Sequence, residues 1–180
     1  FRPPYTPFSF GSVAGPLTKS LFLPIRRTAI YQWHLDQGAV WEPVGQWRRA
    51  YTYPKAAEDK HASIDREILC VRNKVGLLDA STLGKIEIKG PDAAEFLNRM
   101  YVNDFAGLGT GRCRYGILLR EDGFVMDDGV IARLAPGRFH VTTTTGGAAR
   151  VLAMMEDYRQ TEWPDLEVWL TSVTEQWAVI

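Results

Sequence analysis

The chain has 180 residues, 46% of them hydrophobic and 12% aromatic, enough for one substantial core or two small ones. Its 21 basic residues balance 21 acidic ones, so nothing in the charge favours nucleic acid or an anionic membrane, and proteins or small molecules are the expected partners. No apolar run approaches the ~20 residues of a membrane span, no signal peptide is visible, and two cysteines are too few for a disulfide framework or a metal cluster.

Residues 1–54 are rich in proline and aromatics. Prolines at 3, 4, 7, 16, 24, 43 and 54 exclude long helices, while the aromatic content is too high for a free linker. An extended arm lying on a folded body or on a partner is expected here. From Lys55 the pattern becomes regular. Ile64, Ile68, Val71 and Val75 predict a helix with an inward apolar face, and Gly76 supplies a left-handed cap. GKIEIKG (84–90) alternates as a half-buried strand. Gly90-Pro91-Asp92 opens a second helix that buries Ala93, Phe96, Leu97 and Met100.

RCRYGILL (112–119) and FVMDDGVIARL (124–134) read as strands around the turn Glu121-Asp122-Gly123. Pro136-Gly137 turns into a further strand, FHVTTTT (139–145), and Gly146-Gly147 leads to a helix with Ala148, Val151, Leu152 and Met155 inward. LEVWLTSV (166–173) and EQWAVI (175–180) read as closing strands. Short links between strands mean antiparallel pairing, so the expected class is α+β, a mainly antiparallel sheet with packed helices. Cys70 and Cys113 are expected to be small core residues in the reducing cytoplasm. The end of the chain within the apolar run QWAVI, and its start at Phe1, are those expected of a piece of a longer polypeptide.

The doublet Asp127-Asp128 interrupts an otherwise apolar strand. Alternate residues share a face, and Asp128 falls with Phe124, Met126, Val130, Ala132 and Leu134 as the single polar member of an apolar set. Asp127 shares its face with Gly129 and Arg133 and is expected to be partly solvated or paired. A carboxylate on a core face needs hydrogen bonds, a raised pKa or a ligand, so a structural and a functional reading of Asp128 both stand. The run Thr142–Thr145 before Gly146-Gly147 offers hydroxyls and helix-terminal amides to a polar ligand, or caps a helix entry. Tyr115 fits the core or stacks on a flat ligand.

Other motifs carry less. The stretch from Gly107 to Arg112 reads as a turn, because no strand–glycine loop–helix order surrounds it. EDGFVMDDG lacks calcium-loop spacing, Ser81 has no glycine elbow, and His34, His61 and His140 stand isolated.

Taken together, VGLLDASTLGKIEIKGPDAAEFLNRMYVNDF, GRCRYGILLREDGFVMDDGVIARL and FHVTTTTGGAARVLAMMEDY resemble the tetrahydrofolate-dependent aminomethyltransferase family of the glycine cleavage system. That family carries the series VGxxDxS…GxxxxxGPDAxxFL…ND…G…Y…GxxxDD in this order, and the agreement runs from about residue 60 to 180. DASTLGKI, GRCRYG, TTTTGGAARV and LTSVTEQWA, with RPPYTPFSFG and VGQWRRAYTYP in the arm, are closer still to the alpha-subunit family of heterotetrameric sarcosine oxidases.

The resemblance implies that residues 55–180 form the first part of a folate-binding aminomethyltransferase fold, truncated at its C-terminus. It implies a complex that demethylates sarcosine at a flavin in another subunit and passes the one-carbon imine to tetrahydrofolate. The products would be glycine, hydrogen peroxide and methylenetetrahydrofolate. The other subunits of the oxidase would be its partners, with FAD, FMN and NAD elsewhere in the complex, and no metal is implied. The family's catalytic aspartate falls on Asp128, and its tyrosine after the glycine turn falls on Tyr115. Thr144 stands where simpler aminomethyltransferases usually have an asparagine, and with Tyr115 it is expected to bind folate. The glutamate and arginine that grip the folate ring, and the C-terminal barrel, fall beyond Ile180, so this chain alone is expected to be inactive. A glycine cleavage aminomethyltransferase, a dimethylglycine dehydrogenase-like folate domain and a non-catalytic scaffold of the same fold remain alternatives at this point.

Overall fold

A computed structural model describes residues 24–180. In chain order the elements are α1 (Tyr31–Asp36), β1 (Val40–Val44), β2 (Trp47–Thr52), α2 (Lys60–Asn73), β3 (Gly84–Lys89), α3 (Ala93–Met100), β4 (Cys113–Leu119), β5 (Val125–Ala135), β6 (Arg138–Thr143), α4 (Ala148–Thr161) and β7 (Trp169–Ser172). Strands β1 and β2 form a hairpin of their own, and the other five make one sheet in the order β4-β5-β6-β3-β7. Every pairing of named strands is antiparallel, as the short links require.

One face of the large sheet is a packed core. Ile86, Ile88, Leu118, Ile131, Phe139 and Val141 project from four strands onto Phe96 and Leu97 of α3 and Val151 and Met155 of α4, all at 1% exposure or less. Each such side chain contributes about 1.5–3 kcal/mol by leaving water. Helix α3 follows its sequence pattern closely, because Ala93, Phe96, Leu97 and Met100 lie on one stripe and all are buried.

The opposite face, called the outer face below, is only half covered. At its β3 end Lys85 is fully buried, and its Nζ donates to the carbonyls of Ser81 (2.8 Å), Leu83 (2.9 Å) and Thr174 (3.2 Å). Residues 173–180 wrap this end as a loop, not as the strand expected of EQWAVI. The loop is tied by Ala80 N–H to Val179 O (2.9 Å) and Val179 N–H to Ser81 Oγ (3.0 Å). A hydroxyl in place of a second main-chain partner ends any ladder there. At the β4–β5 end Tyr115, Val130 and Leu134 stay 54%, 42% and 44% exposed.

Several expectations change. Residues 1–23 of the expected arm lie outside the described residues, but residues 24–54 are not extended. Gly38 (φ +71°) follows α1, and Gly45 (φ +55°) turns β1 into β2, conformations that glycine adopts without strain. Pro43 is tolerated because it sits in a two-stranded ribbon. Tyr31 stacks on Trp41 with centroids 4.6 Å apart, and the Arg26 guanidinium lies 4.3 Å over buried Trp47.

Helix α2 forms, with Asp59 capping it by accepting the Ala62 N–H (2.8 Å). Its expected inward face does not. Ile68, Leu69, Val71 and Val75 are exposed, and Ser63 is its buried residue. The reason is polar: Glu67 accepts Tyr53 N–H (2.7 Å) and the Thr52 hydroxyl (2.9 Å), while Ser63 Oγ meets Thr52 Oγ1. These bonds turn the polar stripe of α2 toward the hairpin. The helix ends at Asn73 with Lys74 as its cap, so Gly76 lies beyond it. Cys70 and Cys113 are both exposed, not core residues.

Candidate functional site

The site is built from β5 outward. Ile131 is fully buried and fixes the parity of the strand between its two bulges, so Asp127, Gly129, Ile131 and Arg133 face the helices. Asp127 is therefore the buried member of the doublet, at 4% exposure, and Asp128 lies on the outer face with Val130 and Leu134. This inverts the expected assignment. Of the apolar set that contains Asp128, Val130 lies on the open half of the outer face while Met126, at a bulge, packs against the core, and the core face of β5 combines a buried aspartate, a glycine and an isoleucine. Small residues are needed there. Gly116 pairs with Gly129, and a methyl group at Gly116 would meet the Ile131 side chain at 2.3 Å.

Asp127 is held by neutral donors. Its Oδ1 accepts Asp128 N–H (2.8 Å) and Thr144 N–H (3.0 Å), and its Oδ2 accepts the Thr144 hydroxyl (3.0 Å). The same hydroxyl accepts Gly147 N–H (3.1 Å) at the entry to α4. A methyl group at Gly147 would sit 1.7 Å from Asp127 Oδ2, so only glycine fits against the carboxylate. The positive end of α4 adds a favourable field. The neighbouring buried Tyr101 is pushed well above the ordinary tyrosine range by desolvation and by the Asp127 charge.

Asp128 is placed differently. Tyr115 pairs across the ladder with Val130, and Ile117 with Asp128, so Tyr115 and Asp128 are diagonal neighbours on the outer face. The Tyr115 hydroxyl donates to Asp128 Oδ2. The pair joins a carboxylate to an exposed aromatic ring, flanked by Val130, and can meet a flat ligand that carries an N–H.

Of the three residues the sequence singles out, the structure brings Asp128 and Tyr115 together. Thr144 joins Asp127 instead. Its hydroxyl donates once and accepts once within the chain, and its main-chain amide is taken too. The main-chain amide of Thr144 is therefore occupied by Asp127, not offered to a ligand. Asp127 itself is the residue the sequence reading misses. Its signal is the parity it shares with Ile131, set against the glycines at 129 and 147.

The histidines also sort themselves. His34 is buried, with Nε2 2.8 Å from Asp79 Oδ2 and Nδ1 2.5 Å from the Tyr53 hydroxyl. Burial alone would raise the Asp79 pKa, but hydrogen bonds from Ser81, Thr28 and His34 outweigh it and hold the carboxyl below the ordinary aspartate range. This cluster docks α1 and β2 onto the loop before β3. His140 lies against Trp177, and burial followed by the Lys85 charge pushes its pKa down. His61 is exposed on α2. The stretch from Gly107 to Arg112 is a turn, as expected, with Gly111 at φ +78° donating its N–H to Arg133 O (2.8 Å). Among the described residues no cluster of His, Cys, Asp or Glu is placed to hold a metal ion, and no helix is long and apolar enough to cross a membrane.

Residues 30–180 match the model of the GCVT N-terminal domain. The chain belongs to that family. The GCVT match takes in α1 and the β1–β2 hairpin as well as the large sheet. The chain is 54% identical over all 180 residues to sarcosine oxidase subunit alpha of Corynebacterium sp. (strain P-1). It is 49% identical over 179 residues to that of Rhizobium meliloti (strain 1021). It spans 19% and 18% of those two proteins. The aminomethyltransferase of Symbiobacterium thermophilum is 32% identical over 126 residues, covering 70% of this chain and 32% of that protein. The crystal structure of the glycine cleavage system aminomethyltransferase T from Bartonella henselae superposes with a TM-score of 0.72 at 30% identity, over 83% of this chain and 38% of that one.

Proposed function

We propose that this GCVT domain is the folate-binding part of a sarcosine oxidase complex, and that it takes part in passing the one-carbon unit of oxidised sarcosine to tetrahydrofolate. The products of the complex would be glycine, hydrogen peroxide and methylenetetrahydrofolate. FAD, FMN and NAD would lie outside this chain, and the other subunits of the heterotetramer would be its partners. The similarity to sarcosine oxidase alpha subunits over the whole chain supports this choice over a glycine cleavage enzyme, a dimethylglycine dehydrogenase-like protein or a scaffold.

The observation that carries the reading is the Tyr115–Asp128 pair on the open half of the outer face. A carboxylate with one lone pair occupied by a phenol, beside an exposed ring and Val130, fits a flat heterocycle with a nitrogen-bound proton. Tetrahydrofolate would supply the nucleophilic nitrogen. Asp128 would hold or take up the proton of that nitrogen, and Tyr115 would orient the carboxylate and line one side of the ligand. Thr144 would act at the margin through its contact with Asp127, since its hydroxyl is already bonded.

The test uses the full-length polypeptide assembled with its partner subunits. Asp128→Asn is expected to lower methylenetetrahydrofolate formed per peroxide by about 100-fold, the usual worth of a positioned general acid or base. Formaldehyde is expected in its place. Unchanged methylenetetrahydrofolate yield from Asp128→Asn would rule this function out.

A further inference from the structure

The ladder between β5 and β6 does not run to the end of either strand. Main-chain pairing starts at Ile131 opposite Val141. One step earlier, Thr142 Oγ1 stands in for the main chain, accepting Val130 N–H (2.8 Å) and donating to Val130 O (3.1 Å). Two residues earlier, the amides of Asp128 and Thr144, one from each strand, point to one carboxylate. A part-buried N–H without an acceptor costs part of the desolvation of that group. Here a single oxygen, Asp127 Oδ1, accepts both.

We propose that Asp127 is the positioning residue of the outer-face site: its buried carboxylate replaces the missing rung between β5 and β6 and so fixes the main chain from which Asp128 reaches Tyr115. The inference rests on the functional reading of Asp128 given above. Its own content is separate, because Asp127 lies on the opposite face of β5 from Asp128.

Three features support a role in aim and not only in cohesion. The bond from Asp128 N–H ties the carboxylate directly to the residue whose side chain projects outward. The second oxygen is held by Thr144, which is itself tied to Gly147, so the carboxylate is fixed from β6 and α4 as well. Gly147, where an added methyl group would overlap Asp127 Oδ2, brings the entry of α4 against the carboxylate. Asp128 is thereby referred to a rigid layer. A shift of about 1 Å at a reacting group is enough to cost on the order of 100-fold in rate.

The experiment is a double-mutant cycle in the assembled full-length enzyme, with transfer to tetrahydrofolate counted per peroxide formed. Asp127→Ala is expected to lower the kcat of transfer by about 10- to 100-fold with the KM for tetrahydrofolate within about 3-fold, the pattern of a misplaced reacting group. Asp127→Asn keeps an oxygen for both amides and is expected to restore the rate to within about 5-fold of wild type. Asp127→Ala added to Asp128→Asn is expected to cost nothing further, because the first residue acts through the second. If Asp127→Ala does not fold, Asp127→Glu replaces it. That variant keeps the charge, moves the oxygens by one methylene and is expected to show the same loss. Three results overturn the inference: losses at 127 and 128 that multiply, no rescue by Asn, or a wild-type rate for Asp127→Glu. An Asp128→Asn enzyme with undiminished transfer overturns the functional reading and this inference together, which separates the two failures.

Discussion

The two faces of the five-stranded sheet come from the same strands, yet they teach opposite lessons about apolar residues. On the inner face, Phe139, Val141, Ile86 and Ile88 are sealed by α3 and α4, and the buried carboxylate there, Asp127, is satisfied by amides and a hydroxyl. On the outer face, Lys85 is sealed by the loop after β7, whereas Val130, Leu134 and Tyr115 remain open to solvent. Apolar character therefore marks the core on one side and an uncovered surface on the other. What separates them is side-chain volume and close packing. Inward positions alternate large side chains with glycines that have no room for a methyl group, and the open half of the outer face shows no such constraint.

This contrast can be broken by substitution. The largest effect is expected from Phe139→Ala, which empties the centre of the inner face and should cost about 3–5 kcal/mol, read by denaturant or thermal unfolding. A cost near that of a surface change would mean that the helices do not seal this face. A middle effect is expected where the N-terminal unit docks. His34→Ala removes one of the hydrogen bonds to Asp79 and the contact to the Tyr53 hydroxyl and should cost about 1–3 kcal/mol.

The pH dependence of the Asp79 contact follows in sign. Its folded-state pKa lies below the ordinary range, so the ionised form favours the folded state. That contribution is complete above the unfolded value of about 4 and is lost as the pH falls through the lower folded value. The stability gap between wild type and Asp79→Asn should be flat near neutrality and close below about pH 4. A gap that widens in acid would contradict the hydrogen-bonded, ionised Asp79. The smallest effect is expected on the open half, where Val130→Thr should change the stability of this chain by no more than about 0.5 kcal/mol. A loss comparable to that of Phe139→Ala would show that something already covers Val130.

Much of the inner face is legible in the sequence because its signals are local. Helix α3 has its stripe within eight residues, and the β4–β5 hairpin has its turn residues beside it. The antiparallel α+β class follows from such links. The doublet is not legible in the same way. Its parity depends on which side of β5 the helices take, and counting apolar residues points to the wrong side. Helix α2 misleads for a related reason. Glu67 and Ser63 bind Thr52 and Tyr53, and these polar contacts outrank an apolar stripe that the described residues do not cover. His34 and Asp79 lie 45 positions apart, so no local spacing marks the pair. Thr144 is open to two readings by sequence, and its bonds to Asp127 and to Gly147 N–H join two residues that no local spacing links.

Cys113 acquires a use from this geometry. It is exposed on β4, which is an edge strand, and it shares a face with Tyr115 two residues on. The chain has one other thiol, Cys70, on the far side of the sequence in α2. Replacing Cys70 by serine leaves, within these 180 residues, a single labelling handle beside the open half of the outer face. A solvent-sensitive dye on Cys113 then converts whatever settles over Tyr115 and Asp128 into a change of fluorescence, with no need for turnover.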